Sequence, residues 1–362
     1  MTDTAAPPDP RHQAIAILYQ ALEPPVIAGQ RKEAKPGGYS DSGADIGFAL
    51  ASAGCSLVTP AARPHPDRAF DWVWPDTPEG IAAALAAGAT LLWANTVVFA
   101  GHPIEAASRK AWIVGPDPRT MEEIDDKLAT NARLLAAGLP VARSWRVDGA
   151  APDIASLLAP FADHLQLVVK PLRGRGSQGV SVARDEGQLL EQVTALAASG
   201  RFGNAVMLEQ FLPGQEITVT VMPAAAREGA TAPFALPPVE RFGQADDVAP
   251  YNGDVPVRLN SEAMSEQERA APAVHAASAA CERAAALIGI RSPMRIDCRA
   301  DAEGRFLLFD VNSKPNLTGA GRPGRDDEDS LSTMAAAAIG WSYADLLVAT
   351  ARGAWTNRDK TA

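Results

Sequence analysis

Cysteine is scarce in this chain: Cys55, Cys281 and Cys298 are scattered through 362 residues, with no C-x-x-C pair. That spacing excludes a disulfide framework and fits a reducing compartment. Basic residues are outnumbered, 33 Lys and Arg against 43 Asp and Glu, giving a formal charge of -10 and a pI near 5.1. The deficit excludes a broad nucleic-acid-binding surface, while local arginines can still line a pocket for small anions. The N-terminal MTDTAAPPDP lacks a basic stretch followed by an apolar core, so it reads as a polar leader, not a signal peptide. Together these features predict a cytoplasmic protein. No H-R-D or D-F-G occurs, and the lysine nearest the glycine loop precedes it, which excludes a protein kinase.

Charge is missing altogether from residues 80–104, a run long enough to cross a bilayer. It nevertheless contains Asn95, His102, Pro103 and three glycines, and its alanine-rich half gives way to β-branched residues near Thr90. A buried helix followed by a buried strand is the expectation, with no membrane partner.

What is present is an ordinary globular composition, 47% hydrophobic and 21% charged, in a chain long enough for two or three domains. Residues 14–19 (AIAILY) read as a strand, followed by a long polar loop over 20–40 that ends in Pro36-Gly37-Gly38-Tyr39-Ser40. Ser42 is the expected N-cap of a helix reaching Ala53. Strands follow at 56–59, 70–74, 90–94 and 111–114, with a helix at 78–87, and this alternation predicts a parallel sheet. Ligands of such sheets sit at the carboxyl ends of the strands. Gly37, Gly38, Ser40, Asp41, Asn95 and His102 are therefore candidate substrate residues, although a loop His or Asn more commonly caps local backbone. The expected organisation is an N-terminal α/β domain at 1–117, a small central domain at 118–204, and a C-terminal domain at 205–362.

In the central part, an amphipathic helix over 120–137 carries Lys127 in its middle, and further helices are expected at 154–163 and 186–199. Residues 167–182, LVVKPLRGRGSQGVSV, form the organising stretch. Gly174, Gly176 and Gly179 spell G-x-G-x-x-G, yet Val180 to Ala183 continue as strand where a dinucleotide fingerprint would open a helix. Strand, glycine loop, strand describes a flap that lays backbone N–H groups over phosphates, with Lys170 on the incoming strand and Ser177 at the tip.

Downstream, 205–210 ends a strand at Glu209, and 214–222 alternates strictly and carries Glu216. The segment 246–254, including Tyr251, has turn chemistry and reads as a surface loop or lid, and 265–288 reads as one long helix. Strands 294–300 and 305–312 form a hairpin about Glu303-Gly304 that sets Asp297 nearly opposite Asp310. Arg295 and Asp297 share one face. Phe309 and Val311 are expected on the face away from Asp310 and Asn312. Two carboxylates and an amide oxygen at such close quarters suit a hard cation, and a solvated polar ribbon is the plainer alternative.

In this combination the chain resembles the ATP-grasp superfamily, and within it the D-alanine–D-alanine ligase-like branch, from about Lys127 to Leu347. The resemblance implies an ATP-grasp α/β fold: an N-terminal preATP-grasp domain, a flap-bearing central domain and a C-terminal α+β domain. It implies that Lys127 and Lys170 hold ATP phosphates beneath the flap of Gly174, Gly176, Ser177 and Gly179. Glu209, Gln210, Leu212, Glu216 and Phe309 would surround the adenosine. Asp297, Asp310 and Asn312 would hold Mg²⁺, as one or two ions, with Mn²⁺ as a substitute. Arg295, Ser177 and Lys170 would act at the reacting centre. The implied activity is ATP-dependent joining of a small-molecule carboxylate to an amine through an acyl phosphate. An ATP-binding regulatory protein without turnover is the alternative, and a homodimer through the N-terminal domain is left open. A carboxylase of the same superfamily lacks support, because no biotin or bicarbonate signature occurs. The family's N-x-x-P-G loop is replaced by Asn312-Ser313-Lys314-Pro315-Asn316, followed by Arg322 and Arg325. Lys314, Asn316, Tyr251, Gly38, Ser40, Asp41 and His102 are the candidate substrate contacts, and these departures point away from plain D-alanine.

Overall fold

A computed structural model describes residues 9–27, 30–31, 36–150, 166–174, 176–244, 247–248 and 256–358. The helix expected over 154–163 and Tyr251 fall outside these residues.

Three sheets carry the architecture. The first is built on strand Ala14–Tyr19, whose residues Ile15 to Leu18 are all fully buried, as a strand covered on both faces must be. It pairs in parallel with Ser56–Leu57, Val73–Pro75 and Leu91–Asn95, and the last pairs with Trp112–Val114. Alternation decides the packing. Ile15 and Ile17 join Ala44, Ile46 and Leu50 of helix Ser40–Ser52, whereas Ala16 and Leu18 join Ile81 and Ala84 of helix Pro78–Ala86. The far edge is completed late in the chain: Ile113 and Trp355 exchange backbone hydrogen bonds of 2.8 and 2.9 Å.

Two details differ from the sequence reading. The first helix starts at Ser40, not after Ser42, because Gly37, Gly38 and Tyr39 turn successively through left-handed conformations and deliver the chain straight into it. The strand expected at 70–74 is displaced to Val73–Pro75 by a single 3-10 turn, Ala69–Asp71. The uncharged run at 80–104 folds as expected into helix and buried strand, and among the described residues no helix is long and apolar enough to cross a membrane.

The second sheet is antiparallel, in the order Ser181–Ala183, Leu167–Pro171, Ala205–Gln210, Ser144–Asp148, and packs on helix Glu186–Ala198. The third runs Ser261–Ala263, Val239–Arg241, Glu216–Met222, Met294–Ala300, Phe306–Asn312, with Phe234–Ala235 added beside Glu216–Met222. Helix Pro272–Ile288 covers its apolar face.

Both long helices read from the sequence are broken. Residues 120–137 divide into Pro118–Ile124 and Lys127–Ala136, the second capped by the Asp126 carboxylate, which accepts from Ala129 N–H at 3.0 Å. Lys127 therefore stands at a helix start, not on a mid-helix face. Residues 265–288 divide at Pro272, which opens the longer helix because it has no N–H to donate to the preceding turn.

Candidate active site

The polar face of the third sheet is a grid. Alternation along Glu216–Met222 aims Glu216, Thr218 and Thr220 the same way, and Met294–Ala300 does likewise with Arg299, Asp297 and Arg295. Pairing sets Glu216 between Arg241 and Arg299, Thr218 beside Asp297, and Asp297 opposite Asp310.

The last pairing depends on an irregularity. Cys298 pairs with Leu308 and Asp297 with Asp310, so Phe309 is an extra residue, a β-bulge. Strict alternation from the core residues Phe306 and Leu308 would send Asp310 and Asn312 into the apolar core. The bulge reverses the strand's faces, returns Val311 to the core and puts Asp310 and Asn312 on the polar side. It also corrects the reading of Phe309, which does not share a face with Val311 but lines the cavity.

That cavity, about 290 Å³, lies against the flap-bearing sheet and the acidic hairpin. Its wall gathers Lys127, Lys170, Gly174, Gly176, Ser177, Glu209, Gln210, Leu212, Glu216 and Phe309, together with Arg295, Asp297, Asp310, Asn312, Lys314 and Asn316. Residues far apart in the chain thus meet at one place, as do Lys127 and Asp310, 183 positions apart.

Buried charges are paired here, as burial requires. Lys170 Nζ donates to Glu209 Oε1 at 2.7 Å and to the Phe309 carbonyl at 3.2 Å. Lys127 Nζ donates to Asp310 Oδ1. Burial pushes the Asp310 carboxyl upward, but the ammonium charges of Lys127 and Lys170 outweigh it and hold the group below the ordinary carboxylate range. Glu209 goes the other way: burial wins over Lys170 and raises it. Arg295 grips Asp297 with two hydrogen bonds, Nε at 3.1 Å and a terminal nitrogen at 3.2 Å, and Thr218 Oγ1 donates to the same carboxylate at 2.8 Å.

The flap departs from the sequence reading only in the division of labour among its glycines. Gly174 and Gly176 line the cavity. Gly179 does not; a Cβ there would meet Leu196 and Phe202 at 2.9 Å, so its bareness serves close packing on the helix beneath. Ser177 sits at φ 56°, a left-handed conformation uncommon outside glycine. The base of the flap is moored by Arg173, 3.3 Å from Asp125 and 3.8 Å from Asp126, and by Lys127 N–H donating to the Leu172 carbonyl at 3.1 Å.

The substrate candidates before residue 117 do not line this cavity. His102 is buried, and its Nδ1 accepts from Ile104 N–H, leaving Nε2–H to donate to Asp76 at 3.2 Å. Asp41 pairs with Arg322 at 3.1 Å, Ser40 is buried at the helix start, and a Cβ on Gly38 would lie 2.0 Å from the Gln20 carbonyl oxygen. Asn95 holds the loop from behind, donating to the Tyr39 carbonyl at 2.9 Å. Arg322 and Arg325 both clasp the fully buried Asp45, at 2.6 and 2.9 Å, with Thr318 Oγ1 donating to the same carboxylate at 2.5 Å. Sequence reasoning missed Tyr39, Arg241, Asp247 and Arg299, which also line the cavity. Arg299 could have been found, since it continues the Arg295, Asp297 alternation; Tyr39 carried no such signal.

Among the described residues no three His, Cys, Asp or Glu side chains form a metal-binding group. The candidate set is two carboxylates, facing each other across a strand pair, plus the Asn312 amide, whose Oδ1 accepts from Lys314 N–H at 3.0 Å. Oxygen-only donors of this kind fit a hard divalent cation completed by phosphate oxygens.

Residues 155–350 match the protein family described as D-ala D-ala ligase C-terminus. A D-alanine--D-alanine ligase of Gloeobacter violaceus is 30% identical over 223 residues, 61% of this chain and 66% of that protein. One of Bordetella pertussis is 30% identical over 227 residues, 62% of this chain and 64% of that protein. The matched stretch thus spans a little under two thirds of these curated relatives. Among solved structures, D-alanine--D-alanine ligase from Bacillus anthracis complexed with ATP superposes with a TM-score of 0.62 at 15% identity, covering 92% of this chain and 94% of that one. VanG D-Ala:D-Ser ligase from Enterococcus faecalis gives 0.61 at 14% identity, covering 92% and 97%. The protein has the ATP-grasp fold and belongs to the D-Ala–D-Ala ligase C-terminal family.

Proposed function

We propose that the protein is an ATP-dependent carboxylate–amine ligase that joins two small, amino-acid-like substrates. The observation that carries this reading is the convergence, on one cavity wall, of two lysines, a glycine flap, Arg295 and the Asp297–Asp310–Asn312 set.

A carboxylate resists attack by an amine until it has a leaving group. The substrate carboxylate would attack the γ-phosphorus of ATP, giving an acyl phosphate and ADP. The amine lone pair would then attack the acyl carbon, and the C–O bond to phosphate would break, releasing inorganic phosphate and one proton. Lys127 and Lys170 would exchange their carboxylate partners for phosphate oxygens, and the backbone of Gly174, Gly176 and Ser177 would close over them. Glu209, Gln210, Leu212, Glu216 and Phe309 would surround the adenosine. Asp297, Asp310 and Asn312 would hold Mg²⁺, which when bound supplies Lewis-acid neutralisation of the phosphate oxygens. Arg295 would turn from Asp297 toward charge developing on the transferring group. Closure of the flap would keep water from the acyl phosphate. Positioning and charge neutralisation thus supply most of the catalysis.

The test is stoichiometric. ADP and phosphate should appear only when a carboxylate and an amine are both present, alongside a new amide detected by mass spectrometry. ATP binding without amide formation across a broad panel of amino acids and dipeptides would favour a nucleotide-binding regulator and overturn the proposal.

A further inference from the structure

Tyr39, Val97 and Met121 on the cavity wall come from the chain before Lys127, outside the two antiparallel sheets that carry Lys170 and the acidic hairpin. Val97 and Met121 are apolar side chains, and Tyr39 adds an aromatic ring. Beside them, the loop after the hairpin contributes Lys314, whose ammonium lies 3.6 Å from the centroid of the Tyr39 ring.

Tyr39 is held there against its own backbone preference. At φ 67°, ψ 17° it occupies the left-handed region, where a bulky residue is a genuine outlier. The surroundings over-determine it. Asn95 Nδ2 donates to its carbonyl at 2.9 Å, Ser42 Oγ donates to the same oxygen at 3.1 Å, and Lys314 covers the ring. Conformations of this kind persist where a side chain must be presented in one place.

We propose that Tyr39 is a specificity-determining residue, and that the acid substrate is an amino acid with a bulky apolar side chain. This rests on the ligase reading. The side chain would pack against Tyr39, Val97 and Met121, while Lys314, two residues beyond Asn312, orients the reacting carboxylate toward the phosphates. A methyl group would leave most of that wall uncovered, and the gain from added methylenes in an apolar pocket is about tenfold or more.

The experiment supplies alanine, leucine or phenylalanine, each as both enantiomers and each alone so that it serves as acid and amine. Phosphate release is followed with ATP and Mg²⁺, and calorimetry measures binding of the same amino acids in the presence of a non-hydrolysable ATP analogue. For wild type, KM for leucine or phenylalanine is expected to be at least about tenfold below that for alanine. Tyr39→Ala should raise that KM about tenfold with KM for ATP within about twofold, and Tyr39→Phe should behave as wild type. Tyr39→Gly, which relieves the backbone strain, should show the same loss with an undiminished melting temperature. Equal use of alanine, an unchanged amino-acid KM in Tyr39→Ala, or a parallel rise in the KM for ATP would overturn the assignment. Calorimetric binding of leucine or phenylalanine that depends on Tyr39, without phosphate release, would uphold the subsite and sink the ligase reading. Neither binding nor turnover would overturn both.

Discussion

Asp310 carries more of the proposed chemistry than any other side chain, and its ionisation makes that testable. Its folded pKa lies below the ordinary value, so the ionised form is favoured by the fold. The associated stability is present above the unfolded value near about 4 and is lost as pH falls through the lower folded value. Asp310→Asn should therefore unfold at lower urea than wild type at pH 7, and the gap should narrow below about pH 4. Glu209 has the opposite sign: its raised pKa gives stability that is present below its unfolded value and lost as pH rises through the folded one. Glu209→Gln is accordingly expected to cost less stability at pH 7 than Asp310→Asn. In turnover, Asp310→Asn should lower kcat by at least about 100-fold. Near-normal turnover with normal metal dependence would remove Asp310 from the reacting centre. Lys170→Ala should raise the KM for ATP, and an ATP titration that matches wild type would remove Lys170 from the phosphate site. The facing of Asp297 and Asp310 was legible in the sequence because a hairpin with a clear turn fixes which residues oppose each other. Tyr39 was not, because a non-glycine left-handed residue is decided by tertiary partners such as Asn95 and Lys314, which lie 56 and 275 positions away in the chain.

At the scale of elements, the bulge at Phe309 and the mooring of the flap decide whether the site exists. Alternation counted back from Asp310 sets Phe309 and Val311 on the core face, and cannot announce the extra residue by which Phe306 and Leu308, not Phe309, join Val311 there. Deleting Phe309 should leave unbroken alternation, with Leu308 and Val311 on the core face and Asp310 and Asn312 on the polar face, and yield a protein that keeps a cooperative thermal transition. Loss of the cooperative transition would mean that the pairing itself depends on the extra residue. The flap shows the converse. Its glycines were evident, whereas the break at Asp125-Asp126 that anchors Arg173 was hidden inside an uninterrupted amphipathic pattern. Arg173→Ala should speed amide exchange across the flap and raise the KM for ATP while leaving exchange in the first sheet unchanged. Uniform exchange kinetics in the variant would show that the mooring is incidental.

For the whole molecule, the decisive contacts are those that join distant parts of the chain. Asp45, on the first helix, is fully buried and held by Arg322, Arg325 and Thr318, the first 277 residues away. Removing one member of a buried charged cluster strands the others, at a cost of about 3–5 kcal/mol. Asp45→Ala should therefore lower the urea midpoint sharply, and a change within error would show that water replaces the carboxylate. The parallel first sheet was readable from strand–helix alternation, and the antiparallel hairpin at 294–312 from its turn. The clasp was not, since Arg322 and Arg325 in a loop look equally suited to a substrate carboxylate.

The pairing of Trp355 with Ile113 has a temporal side. Trp355 Nε1 also donates to the Gly115 carbonyl at 2.9 Å, across 240 residues of sequence. During synthesis, the sheet built from residues 14–114 keeps one edge open until Trp355 leaves the ribosome. Exposed strand edges recruit other strands, so the nascent chain passes through a period in which this sheet is open to pairing with other chains. Slow translation of residues 116–355 would lengthen that period, which ties the yield of folded protein to the pace at which they are made.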